Sequence, residues 1–437
     1  MADLAKIISL AKRRGFVYPG SEIYGGLAGT WDYGPLGVLL KENIKQEWWK
    51  HMLRRPDIYP LDAAILMNSK TWEASGHLKN FTDKLVDCKK CKKRFRADQL
   101  INTKKCSECG GKLTEGRPFQ LMFKTYAGPV EDSASEVYLR PETAQGIFVN
   151  FKNIIDSFHP ALPFGVAQVG KAFRNEITPQ HFLFRAREFE QMELEYFGKP
   201  DDMDRAFDEI KAARMEWYNS LGVKKENIRF RDHAPSELSH YSRRATDIEY
   251  NYELTDDGFS ELEGIAYRGD FDLSVHAKFS GEKFEIDGIT PHVVEPSLGL
   301  DRAILCFLVD AYEEDELNNE RRVVLKLHPK LAPIKAAVFP LVANKENIVK
   351  KAREVYEDLW SNLARGLNFR LAWDDIGNIG KRYRRQDEIG TPWCVTIDYQ
   401  TLEDDTVTIR DRDTAKQERY PAVKVADIIQ GSIEQKR

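Results

Sequence analysis

Two strand-like segments joined by a short polar loop constrain the fold of this chain more than any other feature. The first covers residues 173–176 and the second covers residues 184–193. Side chains alternate between the two faces of a strand, so Arg174 and Glu176 share a face. The second segment places five side chains on one face, namely Arg185, Arg187, Phe189, Gln191 and Glu193. The pattern predicts a β-hairpin whose charged face can hold a nucleoside triphosphate together with an amine.

Such alternation is also typical of a strand with one solvated polar face. The neighbouring positions argue against that alternative, because they are apolar and fit a buried environment: Val166, Val169, Phe173, Leu194 and Phe197. The chain has 437 residues, of which 42% are hydrophobic and 31% charged. This length and composition are ordinary for a globular protein with two or three domains.

The arrangement Phe-Arg-x-Glu, loop, Arg-x-x-x-Phe resembles motif 2 of the class II aminoacyl-tRNA synthetases. Residues 31–37 resemble motif 1 of that family, and residues 295–302 resemble motif 3. Residues 72–77 and 140–146 are similar to segments of its glycine-specific members. Five such segments in the family's order are far more specific than any one of them. The chain therefore resembles the homodimeric glycyl-tRNA synthetases.

The resemblance implies an α+β fold with three parts. Residues 1–87 and 116–328 would form the class II catalytic domain, an antiparallel sheet flanked by helices. Residues 88–115 would form a small zinc insertion. Two prolines, Pro329 and Pro333, bracket a linker, after which strands alternate with helices. Residues 333–437 are therefore expected to form an α/β anticodon-binding domain.

Four of the six cysteines form two pairs, Cys88-x-x-Cys91 and Cys106-x-x-Cys109. Two such knuckles present four thiolates to one tetrahedral zinc ion. Disulfides or idle thiols are the alternatives, and disulfides are rare in the cytoplasm. The pattern has no open ligand position, so it predicts a structural Zn²⁺. Because some members of the family lack these cysteines, the zinc prediction depends on this sequence alone.

The resemblance also implies an ATP site with Mg²⁺. Arg174 would meet the α-phosphate and the glycine carboxylate, while Arg185 and Arg302 would meet the γ-phosphate, since guanidinium groups pair well with phosphate oxygens. Phe189 would stack on adenine, and Glu261 with its neighbours would hold Mg²⁺. The whole predicted ATP site is Arg174, Asn175, Glu176, Phe184, Arg185, Phe189, Glu261, Leu262, Gly299, Asp301 and Arg302, with Arg174, Glu176 and Arg302 as the catalytic residues.

The implied amino-acid site is acidic. Its predicted residues are Arg96, Glu142, Glu190, Gln191, Glu193, Arg268, Glu295 and Ser297. Glycine has no side chain, so recognition must use its two charged ends and a pocket too small for a Cβ atom. A pocket can exclude larger substrates by steric clash, and no amino acid is smaller than glycine. Each glutamate taken alone would be read as an ordinary solvated residue.

The remaining expectations concern partners and location. A net charge of −4 excludes a global basic surface, so tRNA(Gly) would be bound by local patches such as residues 380–388. The apolar residues of the predicted helix 38–53 exceed what one core face requires, which favours a homodimer. No run of about 18 apolar residues occurs, and Asp3 and Lys6 interrupt the apolar N-terminus, so a cytoplasmic protein without membrane contact is expected.

Three other functions compete with glycine–tRNA ligation. A synthetase for proline, threonine or histidine conflicts with the glycine-type segments. A non-catalytic relative would be expected to lose the phosphate-binding arginines, but Arg174, Arg185 and Arg302 are all present. A zinc-dependent RNA-binding module would leave motifs 2 and 3 unexplained.

Overall fold

The structure is a computed structural model that describes residues 3–100, 105–239, 241–317, 319–363 and 369–435. Residues 101–104 of the predicted zinc insertion lie outside this description. So do residues 364–368 and 436–437 of the predicted C-terminal domain.

The described elements follow in three groups. The first group is α1 (Leu4–Arg14), β1 (Val17–Pro19), β2 (Trp31–Tyr33), α2 (Pro35–Met52), β3 (Ile58–Leu61), β4 (Leu66–Met67), α3 (Ser69–Ala74), α4 (His77–Asn80), β5 (Thr82–Asp87), β6 (Arg94–Arg96), β7 (Arg117–Gln120), β8 (Lys124–Tyr126), β9 (Glu136–Leu139), α5 (Ala144–Phe148) and α6 (Phe151–Phe158). The second group is β10 (Phe164–Phe173), β11 (Glu188–Gly198), α7 (Met203–Ser220), β12 (Ile228–Asp232), β13 (Arg244–Asn251), β14 (Phe259–Gly269), α8 (Phe271–Ser280), β15 (His292–Gly299), α9 (Leu300–Ala311), β16 (Tyr312–Leu317) and β17 (Glu320–Leu325). The third group is β18 (Ala336–Pro340), α10 (Glu346–Leu363), β19 (Leu371–Trp373), α11 (Ile379–Ile389), β20 (Trp393–Ile397), α12 (Thr401–Asp404), β21 (Thr406–Asp411), β22 (Gln417–Pro421) and α13 (Val425–Gln435).

The centre of the molecule is a seven-stranded sheet in the order β12-β13-β14-β15-β11-β10-β3. The predicted hairpin is its long pair β10–β11, which is antiparallel from Phe164 opposite Phe197 to Phe173 opposite Glu188. Neighbouring strands are antiparallel except β3, which pairs with β10 in parallel at one edge. The predicted α+β fold class is confirmed, with this one parallel edge strand added.

Both faces of the sheet are covered. Helices α2, α7 and α9 pack on one face in a large apolar core that includes Met192 and Leu194 of β11. A second core on the other face joins α5 and α6 to Phe164 and Phe197. Because β11 is thus covered on both sides, its polar residues from Glu190 onward are buried. The helix predicted for residues 38–53 begins earlier, at Pro35, whose fixed φ suits the first turn of a helix.

The segment with the cysteine pairs forms a small sheet in the order β6-β5-β7 beside the central sheet. Beyond residue 333, strands β19, β18 and β20 are parallel, and β21 and β22 continue the sheet in antiparallel order. This sheet has its own apolar core with α10 and α13. Within the described part of the chain, no helix is both long and apolar enough to cross a membrane.

Candidate active site

A cavity of about 510 Å³ opens on the sheet where β10, β11, β14 and β15 lie side by side. Most of the predicted site residues line it, although they come from segments far apart in sequence. They are Arg96, Glu142, Arg174, Glu176, Phe184, Arg185, Phe189, Gln191, Glu193, Glu261, Arg268, Glu295, Ser297, Gly299, Asp301 and Arg302. The alternation of β11 explains its share, because Phe189, Gln191 and Glu193 lie on one face.

Three predicted residues lie outside the cavity. Glu190 is on the opposite face of β11, where it forms ion pairs of 2.8 Å with Lys41 and with Lys45 of α2. Leu262 is only 1% exposed and belongs to the apolar core. Asn175 donates its backbone N–H to the carbonyl of Leu121 at 2.7 Å. The alternation that brings Glu193 to the cavity therefore turns Glu190 away from it.

The predicted sharing of strand faces is wrong near the loop of the hairpin. Strand β10 ends at Phe173, so Arg174 and Glu176 lie beyond it and do not share a strand face. The prediction for Arg185 and Arg187 is wrong for the same kind of reason. Strand β11 begins only at Glu188, so both arginines lie in the connection before it. Arg187 donates to the carbonyl oxygens of Ala28 at 2.8 Å and Glu176 at 3.0 Å and holds the connection in place. Arg185 lines the cavity instead.

One end of the cavity is cationic. Arg174 donates through Nε to the carbonyl of Pro141 at 3.0 Å, with its guanidinium 5.3 Å from the ring centroid of Phe189. Arg302 donates through Nε to the carbonyl of Phe184 at 3.1 Å. Arg185 has a buried Nη1 without a hydrogen-bond partner. Burial lowers the pKa of Arg185; the carboxylate of Glu176 opposes this, and the charges of Arg96 and Arg302 add to it.

Oxygen ligands lie beside these arginines. The Glu261 carboxylate is 3.2 Å from Nη1 of Arg302, whose charge lowers the pKa of Glu261. Asp247, on the neighbouring strand β13, also lines the cavity. Carboxylate oxygens are the ligands that Mg²⁺ prefers in proteins, so Glu261 and Asp247 are the candidate ligands for the predicted magnesium ion.

The other end of the cavity is acidic and closely hydrogen-bonded. Glu193 accepts a hydrogen bond from Ser297 at 2.7 Å and another from Thr143. Gln191 donates to Ser297 at 3.2 Å and accepts from the Thr143 backbone at 3.2 Å. Burial, followed by the charge of Glu142, raises the pKa of Glu193. This chain of bonds fixes each polar side chain before any ligand arrives.

Two further carboxylates close this acidic end. Glu142 lies 3.3 Å from His77, and although burial would raise its pKa, His77 and then Arg268 lower it below its ordinary value. Glu295 accepts from Arg268 at 2.8 Å. Burial raises the pKa of Glu295 to about 8 despite the opposing effect of Arg268. The acidic end therefore combines one stably ionised carboxylate with others that titrate nearer neutrality.

Sequence reasoning missed several contributors to the site. Asp272 binds Arg268 with two bonds, of 2.7 and 2.8 Å, and its position four residues later in the chain was an available signal. Glu195 follows Glu193 at strand spacing and is completely buried. Glu237 and Tyr241 line the cavity from an irregular segment whose local sequence has no recognisable pattern.

The four paired cysteines come together in the connections that join β5, β6 and β7 of the small sheet. Their sulfur atoms all lie within 4.8 Å of one another, with Sγ–Sγ distances of 3.5 Å for Cys88–Cys109 and 3.8 Å for Cys91–Cys106. A tetrahedral zinc with Zn–S bonds of about 2.3 Å sets its sulfurs about 3.8 Å apart. The cysteine geometry therefore fits zinc. The two other cysteines, Cys306 and Cys394, are buried core residues, as expected.

The basic run 380–388 forms most of helix α11 and is largely engaged in structural contacts. Arg382 is 1% exposed and donates to the carbonyls of Pro340, Asp375 and Gly377. Arg385 forms an ion pair of 2.8 Å with Asp374. Lys381 is exposed. Most of this run therefore stabilises the C-terminal domain, and only part of it faces solvent.

Comparison with known proteins identifies two family matches. Residues 123–312 match the tRNA synthetase class II core domain (G, H, P, S and T), and residues 335–432 match an anticodon binding domain. Over its length the chain is 53% identical to a glycine–tRNA ligase of Geobacillus thermodenitrificans, covering 96% of this chain and 95% of that protein. Glycine–tRNA ligases of Alkaliphilus oremlandii and Borreliella afzelii are each 52% identical, over 95% and 96% of this chain and 95% of each relative.

Proposed function

The chain belongs to the glycine–tRNA ligase family of class II synthetases, and we propose that it joins glycine to tRNA(Gly) at the expense of ATP. One observation supports this above all others: a single cavity has a cationic end and an acidic end. A triphosphate and an ammonium group fit these two ends. Since both reactants are held in one cavity, much of the rate enhancement comes from their placement.

In this proposal the acidic end binds the amino group of glycine. Glu142, Glu193 and Glu295 surround the ammonium, Ser297 adds a hydroxyl, and Gln191 steadies Ser297. Because these groups already bond to one another, little reorganisation is needed when glycine enters. Arg268 is committed to Asp272 and Glu295, so it positions Glu295 and offers only its remaining N–H groups to the glycine carboxylate.

The cationic end holds ATP. Arg174 lies next to Phe189, so the α-phosphate and the adenine bind close to the glycine carboxylate. A carboxylate oxygen of glycine attacks the α-phosphorus, a new O–P bond forms, and the bond to pyrophosphate breaks. Arg174 stabilises the charge that develops on the phosphoryl group, while Arg185 and Arg302 bind the γ-phosphate. A ribose hydroxyl at the end of tRNA then attacks the glycyl carbonyl, and AMP leaves.

Two metal ions complete the proposal. Glu261 and Asp247 would hold Mg²⁺, which when bound neutralises phosphate charge. Cys88, Cys91, Cys106 and Cys109 would hold one structural Zn²⁺. A cytoplasmic location is part of the proposal, because thiols remain reduced there and available to zinc.

The proposed architecture keeps the catalytic domain at 1–87 and 116–328, the zinc insertion at 88–115 and the anticodon-binding domain at 333–437. The last of these would bind the tRNA(Gly) anticodon arm. A homodimer through α2 is also proposed, because Val38 and Leu53 leave 39% and 45% of their surfaces exposed on or beside this helix. Sedimentation at micromolar concentration should give the mass of a dimer, and an active monomer would contradict this part.

Glycine-dependent ATP–pyrophosphate exchange tests the central proposal. The purified protein, with Mg²⁺ and each amino acid supplied separately, should exchange label only with glycine. Transfer of labelled glycine to tRNA(Gly) should follow when tRNA is added. Exchange that responds to proline or threonine but not to glycine would overturn the assignment.

A further inference from the structure

A buried glutamate, Glu195, lies behind the acidic end of the cavity. It has no exposed surface, and neither of its carboxyl oxygens meets a hydrogen-bond donor. The carboxyl oxygens of Glu193, Glu195 and Glu295 lie within 4.8 Å of one another. Strand β11 is antiparallel to its neighbour β15, and the register that pairs Tyr196 with Val294 places Glu195 opposite Glu295. Two negative charges directly opposite each other would destabilise the sheet.

The surrounding charges are already engaged. Among the described residues, two arginines face this cluster: Arg268 of β14 makes its three bonds to Glu295 and to Asp272 of α8, and Arg140, beside Glu193, donates to the carbonyls of Lys171 and Ala63. Glu142 adds a further negative charge beside Glu193 and Glu295. Glu193 accepts from Ser297 and Thr143. An ionised carboxylate that is buried without a donor is far more costly than a neutral acid. The neutral acid can also donate its O–H to a neighbouring carboxylate.

We propose that Glu195 keeps its proton at neutral pH and donates a hydrogen bond to Glu295, which favours the ionised form of Glu295 and aims its carboxylate at the amino group of glycine. The inference rests on the proposed function, in which Glu295 binds that amino group. Glu195 does not touch the substrate, so it is a positioning residue. Burial, followed by the charge of Glu295, raises the pKa of Glu195 well above its ordinary value, while Arg268 opposes this and Glu193 and Asp272 add to it.

Two substitutions separate a neutral Glu195 from an ionised one. Glu195→Gln keeps the shape of the side chain and a hydrogen-bond donor. At each pH its glycine KM should therefore stay within about twofold of the wild-type value. Glu195→Leu removes the donor, so the midpoint of that dependence should move to higher pH and the glycine KM at pH 7 should rise about tenfold or more. The KM for ATP should not change in either variant. Glu188→Gln, an exposed change on the same strand, is the control.

An ionised Glu195 predicts a different shift of the pH midpoint for glycine KM. If Glu195 were ionised, both neutral substitutions would remove a like charge, and the midpoint would move to lower pH in both. That result, or an unchanged midpoint in both variants, would overturn the inference.

Infrared spectroscopy gives a readout that needs neither activity nor the leucine variant. Near pH 9, above the pKa of about 8 for Glu295, the wild-type protein should still show the carbonyl band of a protonated buried carboxyl group. Glu195→Gln should lose this band. Its absence from wild type, or its persistence in Glu195→Gln, would overturn the inference. Failure of the proposed function would appear differently, as wild-type protein without glycine-dependent exchange.

Discussion

The strands of the central sheet that form the cavity pack against large apolar cores, whereas the small sheet with the cysteine pairs has almost no core of its own. Among the described residues between 82 and 120, the buried apolar side chains are Leu85, Val86, Cys88 and Cys106. So little buried apolar surface cannot offset the entropy of ordering such a segment. The difference indicates that the cavity is positioned by packing, and it predicts that the small sheet depends on the proposed zinc for its order.

The sharpest test of the packed region is Arg174→Ala. Loss of one positioned charge from a transferring phosphoryl group typically costs ~3 kcal/mol or more, a fall of about 10²–10³-fold in rate. ATP–pyrophosphate exchange should therefore fall by at least this factor. The melting temperature should change little, because the apolar core that supports the hairpin is untouched.

Arg205→Ala provides a matched control, since that side chain is 74% exposed on α7 and forms only surface ion pairs. It should keep both exchange and stability. Near-normal exchange by Arg174→Ala would show that the α-phosphate binds elsewhere. A large loss of stability would show that the cavity residues themselves hold the sheet together.

The acidic end predicts a pH dependence of intermediate size. Glu295 has a pKa raised to about 8, so it is largely protonated at lower pH and cannot attract an ammonium. Glycine affinity should therefore increase as pH rises and level off above about pH 8, with the glycine KM changing up to about tenfold per pH unit below that point. The KM for ATP measured over the same range is the control. A glycine KM that is constant between about pH 6 and about pH 8 would contradict the prediction.

Much of the fold and of the cavity could be predicted from sequence, because strand alternation and matched motifs report directly on which face a residue occupies. The same alternation places Glu190, three residues before Glu193, on the opposite face of β11. It places Glu195, two residues after Glu193, on the same face as Glu193. Alternation fails at Arg187 because this residue precedes β11 and contacts Ala28, which is far away in the chain.

Other contacts in the structure have no signal in the local sequence. Lys41 and Lys45 pair with Glu190 because α2 packs on the face of the sheet that carries Glu190. The partners of Arg382 are backbone carbonyl groups, at the end of β18 and in the loop before α11, which no side-chain pattern can indicate. Residues 380–388 therefore stay a predicted RNA surface only at their exposed positions, because Arg382, Gln386 and Asp387 are buried.

The smallest expected effect tests whether the two regions are independent. Cys106→Ser should abolish tight zinc binding, because three thiolates and a hydroxyl make a poorer tetrahedral site. Hydrogen exchange should speed up in β5, β6 and β7, whereas the central sheet should keep its protection. Two residues of the small sheet join the regions: Arg96 of β6 and Asp83 of β5 both line the cavity and form an ion pair of 3.0 Å with each other.

Loss of zinc should loosen β6 and so displace Arg96 from its position in the cavity. The rate of exchange should then fall by only about threefold to tenfold, the effect expected from losing one partly exposed charge contact. Arg96→Ala should reproduce that loss with one zinc still bound per chain, measured by metal analysis. Glu108→Gln, which changes only a surface ion pair with Lys93, is the control for the segment and should retain zinc and activity. If Cys106→Ser abolished exchange altogether, or if the wild-type protein held no zinc, the contrast between packed and metal-ordered regions would be wrong.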